Sequence, residues 1–356
     1  MNGALNLSAN MQATSSIFNG SGIMINDATI QSVGTGAVTL KAKGGNGNTS
    51  YDCYGIRLFS GSRLIGGTSE ALTVEGIGDI TTARHGNVGV ELTNSSQISS
   101  NGCNVSVSGT GGGTGESSGN HGILLASASI ITSGGSGEVN VSGHGGNNST
   151  GGTGYFNIGI YISESGSMIS SGNGNVSVTG TGGGDNGSSY LNLGVYLYSG
   201  GKITSGGSSS TVTVIGIGGN ASGRDNYGVY LHWAVSPVFT GITSGGGNVS
   251  VTGNGGGKGA STSNIGVMLN SGCTITAGGN GAVDVTGNGG NNGAEGTGAF
   301  NTGVYCCSSL ITSNGGHVSI NGKGGGDAGS GYANYGVCLW DGGRITSGGS
   351  ATTVTV

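Results

Sequence analysis

The chain has 356 residues, of which 86 are glycine and one is proline, and its charged residues amount to only 7%. Glycine at every third position with abundant proline is absent, which excludes a collagen triple helix, and so few charges exclude the composition of an expanded, disordered chain. Lys+Arg 10 against Asp+Glu 15 leaves a net charge of −5, so no basic stripe is available for a phosphate backbone and nucleic acid is not an expected partner.

In chain order, the opening MNGALNLSAN lacks the basic start and apolar stretch of a secretory signal. Its GALNLSAN aligns with GAVTLKAK further on, so residues 1–21 read as a partial first coil that supplies a last strand. A glycine followed by an apolar residue, any residue and another apolar one then recurs. It stands at Gly22 (GIMI), Gly55 (GIRL), Gly89 (GVEL), Gly122 (GILL) and Gly159 (GIYI), and again at Gly194, Gly228, Gly266, Gly303 and Gly336. The steps are 33, 34, 33, 37, 35, 34, 38, 37 and 33 residues, which marks a repeat architecture.

Each copy holds three short stretches of period-two alternation, the pattern of strands. In the copy at Gly194, Val195 and Leu197 point one way with Tyr196 opposite, Ile203 opens ITSGG, and Val212 and Val214 flank Thr213. Glycine clusters separate the three stretches, and no segment has the length or period of a helix. Leucine-rich repeats are shorter and carry a helical side, while propeller blades need four strands. The expected fold is all-β: a right-handed single-stranded parallel β-helix, or β-solenoid, of about ten coils of about 35 residues with three short strands each. It forms one domain over 1–356, open and uncapped at both ends.

Equivalent positions in such a coil stack about 4.8 Å apart, so every alignment column becomes a ladder. The inward columns are Val195, Leu197, Ile203, Val212 and Val214 with their equivalents, such as Val229, Leu231, Ile242, Val249 and Val251 one coil on. Two residues before the repeat glycine stand Asn87, Asn120, Asn157, Asn192, Asn226, Asn264, Asn301 and Asn334. A stacked amide at a bend can donate to the carbonyl of the adjacent coil and satisfy turn backbone, so these form a structural asparagine ladder; a ligand-binding amide row is the functional alternative.

Outward columns differ in character. Beside the third strand run Thr39, Thr73, Ser106, Asn140, Ser177, Thr213, Ser250, Asp284, Ser319 and Thr355, small polar groups suited to a wet face. On the first strand the outward column includes Tyr161, Tyr196, Tyr230, Met268 and Tyr305. Aromatics stacked along a face form a candidate contact surface for sugars or another fibre, unless neighbouring arcs fold over them. Arg57 with Glu91 and Lys41 with Glu75 fall on adjacent coils as exposed ladder pairs of little energetic weight. The insertion HWAVSPVFTG, with Trp233, Pro237 and Phe239, marks a bulge or a binding knob.

Motifs for chemistry are sparse. The glycine strings open no helix and so cradle no phosphate. Asp185, Asp225 and Asp327 stand at different offsets from their next repeat glycine, which does not make a calcium array. Asp284 has Ser250 and Ser319 as column neighbours, and Asp225 beside Arg224 is one dipeptide, so no acid and base pair emerges. His85, His121, His144, His232 and His317 lack ligand spacing and read as scattered surface residues. Cys307 and Cys338 are two positions out of register, and Cys53, Cys103, Cys273 and Cys306 read as small apolar residues or free thiols. No cofactor and no metal is expected. No apolar run reaches the roughly 18 residues of a spanning helix, so no membrane insertion is expected either.

In repeat length, asparagine ladder and glycine-rich third arc, the chain resembles the large β-helical surface proteins of bacteria, autotransporter passengers and filamentous-haemagglutinin-type adhesins. No functional residue of those families maps onto a position here. The resemblance implies an extracellular or cell-surface location, with adhesion or matrix formation as the task. The expected role is thus a structural or adhesive fibre element without catalysis, whose partners are further copies of itself, stacked head to tail or packed laterally, and surface glycans. A carbohydrate-active β-helix enzyme is one alternative. An ice-binding solenoid is another, its Thr and Ser columns interrupted by Lys41, Glu75, Asn140 and Asp284.

Overall fold

The computed structural model describes residues 3–11, 20–45, 53–81, 83–147, 151–184, 187–234, 238–290, 296–326, 331–349 and 352–356. Asp185, Pro237 and Asp327 lie outside the described residues.

The described residues form 31 strands in three parallel sheets. First strands of successive coils make one sheet of 10, second strands another of 10, and third strands one of 11. The chain winds as a right-handed parallel β-solenoid. Val195–Tyr198, Lys202–Ser205 and Val212–Ile217 are the three strands of the copy at Gly194, and each pairs with its counterpart one coil on without an offset: Val195 with Val229, Ile203 with Ile242, Val212 with Val249. Leu5–Ala9 joins as a third strand, paired with Val38–Ala42, and Val354–Thr355 pairs with Val318–Ser319.

Registration follows from the side chains. The strands are too short for local stability, so each is held by the inward aliphatic residues that stack on the coil below. Val195, Leu197, Ile203, Val212, Val214 and their equivalents Val229, Leu231, Ile242, Val249 and Val251 are all fully buried in a single continuous core. A slip by one residue would turn each of these to water.

Two glycine columns bring the third strand of one coil close to the first strand of the next. A methyl group on Gly216 would run into the carbonyl of Gly228 and lie 2.6 Å from Val229 Cγ2. The same pairing recurs at Gly180 with Gly194 and at Gly253 with Gly266. Much of the glycine content thus answers to backbone packed on backbone.

Candidate functional site

Seven of the eight asparagines before the repeat glycine, all but Asn334, are completely buried. From Asn120 on, each Oδ1 accepts from the preceding coil: Asn157 donates to Asn192 Oδ1 through both its backbone N–H and its Nδ2, each at 3.2 Å. Asn192 donates to Asn226 Oδ1 in the same double manner at 3.2 Å, and Asn264 to Asn301 at 3.0 and 2.8 Å. The second Nδ2 proton is held within the turn, by Gly223 O at 2.8 Å for Asn226 and by Ser189 Oγ at 3.0 Å for Asn192. The backbone carbonyls from Asn87 to Asn301 each accept from an arc glycine, Gly219 N donating to Asn192 O at 2.9 Å. The acceptor on the adjacent coil is therefore another side-chain amide, which makes the ladder a continuous polar chain. At its start Asn87 Oδ1 is buried and meets no donor among the described residues; the equivalent position one coil earlier, Cys53, has no side-chain amide.

The residue before each of these asparagines is left-handed, with φ between 55° and 76° at Gly86, Gly119, Phe156, Leu191, Asp225, Ser263, Phe300 and Ala333. That turn aims the amide inward. A second ladder, not singled out by the sequence, lies between first and second strands: Ser62, Ser96, Ser129, Ser167, Thr240, Cys273 and Ser309 are all buried. Here Ser129 Oγ accepts from Ser96 N at 3.2 Å and Ser309 Oγ from Cys273 N at 3.2 Å. The available signal was a small hydroxyl or thiol two residues before most of the second-strand aliphatics, with Ala28, Gly201 and Gly343 as the exceptions.

The tyrosine column stacks as its register requires. Tyr161, Tyr196 and Tyr230 have parallel rings 5.0 Å apart. As a contact face, however, this column is largely covered. Tyr196 and Tyr230 are only 7% and 9% exposed, and Tyr161, Met268 and Tyr305 are half-buried. The cover comes from the residues just before the repeat glycine, Ile158, Leu193, Tyr227 and Ile265, which the arcs lay across the column to make a second apolar cluster. Apolar area drives this folding-over, and the sequence signal was the run of apolar residues at that position. Burial pushes the Tyr161 and Tyr230 phenols up to about 12 and raises Tyr196 and Tyr227 further.

Two further expectations need correction. Arg57 and Glu91 pair at 2.5 Å, but Glu91 is buried and the guanidinium lies 4.5 Å from the Tyr54 ring, so this pair is no exposed ladder contact; Lys41 and Glu75, 2.8 Å apart, are partly exposed. His121 is not a surface residue. It is buried against Phe156 and Tyr161 at 5.6 and 5.5 Å, and burial lowers its pKa to about 4.

Among the remaining ionisable groups, Asp225 is held above its usual range by burial, opposed by a 3.1 Å hydrogen bond from Tyr227 and by Arg224. Asp284 pairs across its sheet with Ser250 and Ser319. Among the described residues no three of His, Cys, Asp and Glu come together as a metal site. None of the six cysteines forms a disulfide; burial pushes Cys273 up to about 12 and Cys306 up to about 11. Trp233 and Phe239, in the insertion, are 54% and 40% exposed, with Lys202 Nζ 4.2 Å from the Phe239 ring.

Comparison with family models, with curated proteins and with solved structures finds no match to this chain. Its kinship is architectural: it has the parallel β-solenoid fold of β-helix proteins in general.

Proposed function

We propose that the chain is a shaft segment of an extracellular or cell-surface fibre, a structural element without a catalytic centre. The observation that supports this most is the unbroken registration of all three sheets from coil to coil. With a rise of about 4.8 Å per coil, ten coils make a rod on the order of 50 Å long. Each coil contacts only its neighbours, so stiffness comes from stacked ladders rather than from a round core. The resemblance to bacterial β-helical adhesins supplies the location. In such a fibre the ladders run on axially, through more of the same chain or through a second copy.

Immunogold labelling of thin sections of source cells tests this. Gold particles along surface fibres are the expected result, and label confined to the cell interior would overturn the proposal.

A further inference from the structure

The outer edge of the glycine-rich arcs changes relief abruptly between the copies at Gly122 and Gly159. Four residues before the repeat glycine the column reads His85, Ser118, Tyr155, Tyr190, and three before it Gly86, Gly119, Phe156, Leu191. Small residues thus give way to aromatic ones within a single coil step. Tyr155 and Tyr190 stack with ring centroids 5.0 Å apart and planes 11° apart, and they are 47% and 36% exposed. One face of Tyr155 is taken by Tyr190. Because the rings stack along the rod, the opposite face looks over the preceding coil, where Ser118 and Gly119 offer no bulk.

That step borders a shallow, open groove of about 360 Å³ lined by His85, Gly86, Ser118, Gly119, Tyr155 and Phe156. A Cβ built on Gly119 meets nothing nearer than Gly86 N at 4.0 Å, so the floor is open. Ser118 N donates to His85 Nδ1 at 3.0 Å. The lining contains no Asp, Glu, Lys or Arg, and the polar groups stand at the margin of an aromatic wall.

We propose that this groove binds one pyranose ring of a neutral saccharide. The C–H face of the sugar lies on the free face of Tyr155, and its hydroxyls meet the His85 edge, Ser118 being buried with its hydroxyl bonded to Tyr155 N and Glu116 O. An apolar wall with a few orienting polar groups is the usual make-up of a small-ligand site. A lining without lysine or arginine selects against uronic acids, sulfated sugars and phosphates, whose charge would lose water without a fixed cation to replace it.

Saturation-transfer NMR on the purified chain tests the proposal. The probes are the methyl pyranosides of glucose, galactose, mannose and N-acetylglucosamine, the linear hexasaccharides of the same sugars, and methyl glucuronide. Transfer to the pyranose C–H protons of at least one neutral probe is expected, weakened about ten-fold by Tyr155→Ala and abolished by Gly119→Asn. Asparagine tolerates the left-handed backbone at that glycine and fills the floor. Tyr332→Ala, at an exposed aromatic elsewhere, should leave binding intact. Binding by hexasaccharides with none by the monosaccharides assigns the groove to polysaccharide chains, and equal binding per residue assigns it to single sugars. No transfer to any neutral probe, equal transfer in Tyr155→Ala, or preference for the glucuronide would each overturn the proposal. None of these outcomes bears on whether the chain is a fibre shaft.

Discussion

Replacing Asn192 by alanine should cost about 4–6 kcal/mol, and the figure follows from its contacts. Its Oδ1 accepts from Asn157 N and Nδ2, and its Nδ2 donates to Asn226 Oδ1 and Ser189 Oγ. After truncation Asn226 Oδ1 keeps the backbone N–H of residue 192, and Asn157 Nδ2 keeps Gly154 O. The Asn157 backbone N–H is left buried with no acceptor, which costs about 1–3 kcal/mol, and the other lost bonds add about 1 kcal/mol each. Because a solenoid is coupled only to nearest neighbours, the damage should be local. Hydrogen exchange followed by mass spectrometry should show lost protection in the arcs around Asn157, Asn192 and Asn226, with much smaller change near Val107 and Val318. Thr213→Ala on the wet sheet face is the control, expected within about 0.5 kcal/mol of the native chain. If Asn192→Ala matched that control in urea midpoint and exchange, the ladder would be a passive row of amides and its account here wrong.

Other consequences are open to measurement. Ser263 sits at φ 57° where glycine has no steric penalty, so Ser263→Gly should raise stability by about 1 kcal/mol; an unchanged or lower urea midpoint would contradict the strain assigned there. Gly216→Ala, forced against the Gly228 carbonyl, should destabilise by about 3 kcal/mol, seen as a fall in thermal midpoint, and a neutral outcome would mean that the two strands can part. Folding lowers the His121 pKa from 6.5 to about 4, so the unfolded chain takes up a proton first. Its contribution is intact above pH 6.5 and is lost as pH falls towards 4, by about 3 kcal/mol in all. Urea titrations across that range should show the slope in the native chain and a shallower one in His121→Leu, where only His232, also lowered by burial, still contributes in the same direction.

Residue order alone determined the winding. Glycine–apolar steps of 33 to 38 residues and period-two alternation leave one economical way to bury Val195, Leu197, Ile203, Val212 and Val214, which is to stack each coil on the last. The eight asparagines were legible for the same reason, since a polar residue repeated at one bend must be satisfied by its own neighbours in the column. What the alternation could not decide was the state of the outward side chains. Tyr161, Tyr196 and Tyr230 stand on the outer face of a sheet, and whether they meet water depended on where the arcs fell. Those arcs have no periodicity to read, and their path is set by contacts between coils: Leu193 and Tyr227 closing over the tyrosines, arc glycines bonding the ladder carbonyls. His121, the Arg57–Glu91 pair and the step at Tyr155 became visible only once these arcs were in place, because burial on an outer face is a property of neighbouring coils and not of any one repeat.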